Sequence, residues 1–148
     1  MKKRLVVIIV LAVTSLTFSG CIFAPSIDSV NKAGITESGR KGTLDHAVKG
    51  FNTARFWENY PLANTYAADE NMETLKVVLQ EKRTEGRIVE SKVENVSFYD
   101  DAYKAEVDVL QKIQSASTNL VNPQIEKQIW TFSIYNGWKL ATFGEKLT

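Results

Sequence analysis

The sequence predicts an α+β domain in which N-terminal helices pack on a curved antiparallel sheet of four strands, or slightly more. Three observations predict it. Apolar residues recur at helical spacing from Leu44 to Leu79. The period then drops to two from Val89 onward. Asn136-Gly137, set between two β-rich runs, marks a tight hairpin near the C-terminus. The 148 residues show no internal repeat and suit one domain around a single core.

The first stretch concerns destination rather than fold. Lys2, Lys3 and Arg4 precede an uncharged, mostly apolar run from Leu5 to Phe18, closed by Ser19-Gly20-Cys21. The run is short for a bilayer span and reads as a secretory signal over residues 1–20. Phe18-Ser19-Gly20-Cys21 resembles a bacterial lipobox, with Phe18 where Leu is usual. That resemblance implies cleavage before Cys21 and acylation of its thiol by palmitate-like chains. Cys21 is the only cysteine, so no intramolecular disulfide is possible and stability rests on packing. The expected product is an exported cell-envelope lipoprotein, held to a membrane by two-signal anchoring. Ile22 follows the cysteine, which by resemblance to enterobacterial sorting favours the outer membrane, facing the periplasm, in a Gram-negative organism. Removing residues 1–20 takes three positive charges from a net +1 and leaves −2, so nothing in the charge points to nucleic acid.

Residues 21–42 read as a lipidated tether, with Pro25, Gly34, Gly39 and Gly42 and no sustained apolar period. The domain is expected over 43–148. Thr43 is the expected N-cap of a first helix whose stripe is Leu44, Ala47, Val48, Phe51, Ala54 and Arg55. Pro61 interrupts and pushes Tyr60 from helical geometry, and Leu62 to Ala67 forms a short second helix. A third begins near Asn71, carries Met72, Leu75, Val78 and Leu79 on one face, and ends on Gly86 as a C-terminal cap.

The first strand alternates through Val89, Ser91 and Val93, then resumes at Val96 and Phe98 with its phase slipped by one residue. A β-bulge near Asn95 explains the slip. Asp100-Asp101 supplies a turn. Tyr103, Ala105, Val107, Val109 and Ile113 share one face of the next strand, and Ser115 to Pro123 is a loop. The last strands are Gln124 to Tyr135 and Trp138 to Phe143. A two-residue turn places Tyr135 opposite Trp138 and Trp130 opposite Phe143, with Trp130 and Phe132 facing the core. Ile129, Tyr135, Trp138 and Leu140 then form a second apolar face, the expected interface for a homodimer or an envelope protein.

Helices followed by a bent meander ending in Tyr135-Asn136-Gly137-Trp138-Lys139-Leu140, with Ala47 and Phe51 in the first helix, resembles the nuclear transport factor 2-like, or cystatin-like cone, superfamily. The resemblance implies a curved sheet wrapped around helices, with a cone-shaped cavity. Trp57, Tyr60, Tyr66, Tyr103, Trp130 and Phe132 are the expected lining. The superfamily includes isomerases and dehydratases as well as non-catalytic subunits, so fold alone leaves function open.

The residues argue for the non-catalytic side. Glu90, Glu94, Glu106 and Asp108 fall opposite the apolar faces, so the pattern places no acid in the cavity. His46, the only histidine, lies off the helix stripe, and Asp100 and Asp101 are turn formers. No metal or cofactor is expected: there is no second His or Cys, no calcium loop, no nucleophile elbow and no phosphate loop. The expected function is a membrane-anchored binding or assembly domain. The alternatives are an isomerase- or dehydratase-like enzyme acting on a small apolar ligand, and a periplasmic component of a secretion or transfer machine.

Overall fold

A computed structural model describes residues 34–145; the signal segment, Cys21 and most of the expected tether lie outside the described residues. Among the described residues three α-helices, α1 (Glu37–Phe56), α2 (Tyr60–Asn64) and α3 (Met72–Glu85), and a short 3-10 turn (Asp69–Asn71) precede four strands, β1 (Gly86–Tyr99), β2 (Lys104–Ser115), β3 (Val121–Ser133) and β4 (Gly137–Glu145). The sheet is an antiparallel meander in the order β1-β2-β3-β4. The α+β class and the four antiparallel strands are therefore as the sequence predicts.

The first helix starts earlier than expected. Thr36, not Thr43, is the N-cap, its Oγ1 accepting from Gly39 N at 3.0 Å. Thr43 lies inside the helix and donates back to the Gly39 and Arg40 carbonyls. Two glycines cost this turn roughly 1 kcal/mol each relative to alanine. Arg40, almost fully buried, offsets them. Its guanidinium donates to the carbonyls of Gly34, Ile35 and Asp101, and stacks 4.0 Å from the centre of the Tyr103 ring. The farthest of these carbonyls, that of Asp101, lies 61 residues away, so helical spacing alone does not reveal the clamp.

α2 begins at Tyr60, capped by Asn59 Oδ1, with Pro61 tolerated in the first turn where its missing N–H costs nothing. Gly86 is no left-handed cap: it is extended (φ 162°) and begins β1 at once. β1 carries the expected irregularity between Val93 and Asn95 and a second between Ile88 and Glu90. β2 and β3 run on to Ser115 and back to Val121, leaving only a five-residue turn where a longer loop was expected.

The β3–β4 hairpin corrects the predicted register. Ser133 pairs with Gly137 across a three-residue loop, Gly137 holding φ +66°, so Trp138 sits opposite Phe132 and Leu140 opposite Trp130. An odd shift of register turns every side chain to the other face. Trp138 (5% exposed) and Leu140 are consequently core residues, and Trp138 Nε1 donates to the Arg40 carbonyl at 2.8 Å. An irregularity between Ile129 and Trp130 then brings Phe143 back inward, opposite Gln128. Of the expected interface, Tyr135 lies in the exposed loop and Ile129 alone stays on the outer face, half-buried. That outer face is polar, crossed by the ion pairs Lys127–Glu106 and Lys112–Glu90.

The core lies between the helices and the inward face of the sheet, with Phe51 at its centre. Its ring meets Trp130, Phe143 and Tyr66 edge-on at 5.8–6.2 Å. The outer edge of β4 is closed at Leu140, whose N–H and carbonyl bond Tyr66 O and Ala68 N.

Candidate functional site

The interior holds a polar network as well as aromatics. Arg55 lies on the core stripe of α1 one turn beyond Phe51, and Glu126 lies on the inward face of β3; they are 3% and 1% exposed. Arg55 Nη1 donates to Glu126 Oε1 at 2.6 Å and Nη2 to Oε2 at 3.0 Å. Oε1 also accepts from Gln128 Nε2 at 2.9 Å and Gln111 Nε2 at 3.4 Å. Asn52, one turn before Arg55, accepts from both glutamines, while Gln128 Oε1 takes the Trp130 indole N–H at 3.2 Å. The Arg55 guanidinium rests against Phe143 and Phe51, 4.7 and 5.2 Å from the ring centres.

Glu126 corrects the expectation that no acid lies inside. The period-two alternation that puts Trp130 and Phe132 inward also puts Gln128, Glu126 and Gln124 inward when carried back along β3. Arg55 on an apolar helix stripe is the matching signal, because a buried guanidinium requires an anion. Chemically, the carboxylate is spent. Both oxygens are engaged, one by three donors, and the paired charges sum to zero, so neither a proton acceptor nor an electrophile is left facing a substrate.

Open space lies elsewhere. A groove of about 500 Å³ separates α1 from the inward face of β1; Asn52, Phe56, Trp57, Val89 and Val93 line it, with Asp45, Lys49 and Glu90 alongside. A smaller groove of about 190 Å³ continues it past Leu44, Val48, Val96 and Phe98. Val93 and Val96 are 39% and 40% exposed although they share a face with fully buried Val107 and Val109, so the helix leaves this part of the sheet uncovered. A second pocket of about 450 Å³ lies between α2 and α3, with Tyr60, Pro61, Asn64, Lys76, Leu79 and Arg83 around it. The Tyr60 phenol is held above its ordinary range, first by burial and then by the charge of Glu58.

The six aromatics expected to line one cavity do not come together. Trp57, 73% exposed, borders the α1–β1 groove, and Tyr60 borders the α2–α3 pocket. Tyr66, Trp130 and Phe132 pack within or against the core, and Tyr103 lies under Arg40. Tyr66 meets Trp130 at 6.4 Å and Tyr103 meets Phe132 at 6.1 Å, but these are packing contacts, because the Phe51 cluster and the polar network fill the core. His46 is exposed on α1. Among the described residues no group of three His, Cys, Asp or Glu is placed to hold a metal, and no helix is long and apolar enough to cross a membrane.

No protein-family model matches the chain, and no curated protein does. Solved structures do. A ketosteroid isomerase-like protein from Erwinia carotovora atroseptica superposes with a TM-score of 0.54 over 70% of this chain and 94% of that one, at 14% identity. A SEC-C motif containing protein from Rhodopseudomonas palustris gives 0.54 over 65% and 73%, at 10% identity. At such identities the likeness establishes the fold, helices against a curved four-stranded antiparallel sheet, and nothing further.

Proposed function

We propose that this chain is an exported, lipid-anchored binding domain of the cell envelope, without a catalytic centre of its own, which takes an elongated apolar ligand along the α1–β1 groove. One observation carries the non-catalytic part: the interior carboxylate Glu126 is consumed by Arg55 and two amides. The exposed inward-facing valines Val93 and Val96 support the groove as the binding surface, at roughly 25 cal/mol per Å² of apolar area covered. The signal segment and Cys21 supply the anchoring half of the reading, which in a Gram-negative organism places the domain on the periplasmic side of the outer membrane.

Two measurements test it. Intact-mass analysis of membrane-extracted protein is expected to show the chain starting at an acylated Cys21; an unmodified thiol overturns the anchor. For the groove, a Cys21→Ser chain titrated with an anilinonaphthalene probe is expected to enhance its fluorescence, and Val93→Glu to abolish the enhancement with circular dichroism unchanged. Enhancement that survives Val93→Glu overturns the groove assignment.

A further inference from the structure

One end of the sheet carries both turns that precede strand returns, the left-handed Asp100–Ala102 turn between β1 and β2 and the Ile134–Asn136 loop between β3 and β4. Lys104 pairs with Thr131, and Phe132 N–H donates to Tyr103 O, so the two turns sit side by side. The chain enters the domain at this same end. Arg40 clamps the Gly34 and Ile35 carbonyls together with that of Asp101. Around this entry point Ile35, Tyr99, Tyr103, Ile134 and Tyr135 are all exposed, Tyr135 at 97%. Of the two acids in the turn, Asp100 is partly neutralised, because Lys104 Nζ lies 2.8 Å from its Oδ2, while Asp101 is exposed.

From this we infer that the tether end of the domain is a membrane-contacting rim, where Ile134 and Tyr135, flanked by Tyr99 and Tyr103, insert at the lipid headgroup level. The inference rests on the reading of Cys21 as a lipid anchor. Tyrosines with one wet and one apolar end suit that depth. Reach decides between the two ends of the sheet. Twelve residues lie between Cys21 and Gly34, thirteen Cα–Cα steps. A flexible tether of that length has a root-mean-square span of about 20 Å and a fully extended one about 45 Å. The opposite end, around Ser117 and exposed Leu120, lies a 12-residue strand further away, roughly 40 Å at 3.3 Å per residue. That end touches the bilayer only with the tether almost fully stretched. The entry end is held near the surface at high effective concentration, so a weak contact of a few side chains suffices.

The test uses the full acylated chain in phosphatidylethanolamine–phosphatidylglycerol vesicles, with a nitroxide attached to Tyr135→Cys or, separately, to Ser117→Cys. Both positions are exposed, so folding is unaffected. The label at 135 is expected to collide with oxygen relative to a water-soluble nickel chelate several-fold more than the label at 117. Equal, water-like accessibility at both sites in protein that floats with the vesicles overturns the rim while leaving the anchor standing. Two labels per chain with no flotation show a free Cys21 thiol, and then both readings fall.

Discussion

Arg55 and Glu126 lie 71 residues apart in the chain and meet in the core as a two-pronged ion pair, Nη1–Oε1 2.6 Å and Nη2–Oε2 3.0 Å. Removing either partner strands the other charge in a dry interior. Glu126→Leu or Arg55→Met alone is therefore expected to cost about 3–5 kcal/mol in urea unfolding. The double variant is expected to recover most of that loss, because Gln111 and Gln128 keep Asn52 Oδ1 as an acceptor. Additive losses in the double variant would falsify the account of Arg55 and Glu126 as a coupled unit.

The hairpin register makes Trp138 and Tyr135 opposites in environment. Trp138→Ala removes a buried indole and its bond to the Arg40 carbonyl, and is expected to cost about 3–5 kcal/mol. Tyr135→Ala, on a loop with its side chain in solvent, is expected to stay within about 0.5 kcal/mol. Denaturation midpoints of the two variants check this. Similar losses, or a Trp138 variant that is folded and merely monomeric, point back to the two-residue register.

One hydroxyl, that of Thr36, caps the start of α1. Thr36→Ala is expected to destabilise by about 1 kcal/mol through loss of its cap on Gly39 N. Thr43→Ala sits inside the helix, where alanine is the better former, and is expected to be neutral within about 0.5 kcal/mol. A reversed pair of values, read by thermal unfolding, moves the helix start to Thr43.

Gly50 lies in the middle of α1, where alanine ordinarily gains roughly 1 kcal/mol. Here a Cβ collides with the Tyr66 phenol, the tip of a rigid ring wedged edge-on against Phe51 and Trp130. Gly50→Ala is expected to cost about 1–2 kcal/mol net of the helix gain, within the range of overpacking penalties. Adding Tyr66→Phe, which removes the nearest oxygen, is expected to return part of it. A plain stabilisation by Gly50→Ala shows the ring yields freely.

The raised Tyr60 pKa has a definite sign. The folded state holds the phenolic proton more tightly than the unfolded chain, whose tyrosine titrates near 10. The stability it contributes is complete below that pH and is lost as pH rises through the folded value. Tyr60→Phe is expected to shallow the fall in stability on the alkaline side of pH 10. An unchanged alkaline slope removes Tyr60 from the account.

Local pattern alone determined the class and order of the elements. Helical period through Leu79, period two beyond Val89, the slip near Asn95 and a hairpin in the neighbourhood of Asn136-Gly137 are properties of adjacent residues, and the fold follows them. Tertiary structure decided the rest, wherever an element's state depends on a distant partner. Arg40 draws the turn before Thr43 into α1 because its acceptor at Asp101 lies across the sheet. One residue more in the β3–β4 loop turned Trp138 and Leu140 from a surface face into the core, since an odd register shift inverts a strand. Glu126 and Arg55 were both legible as inward-facing positions, but their neutralisation was not. Periodicity tells which way a side chain points, whereas the charge it meets there is set by chain closure over 71 residues.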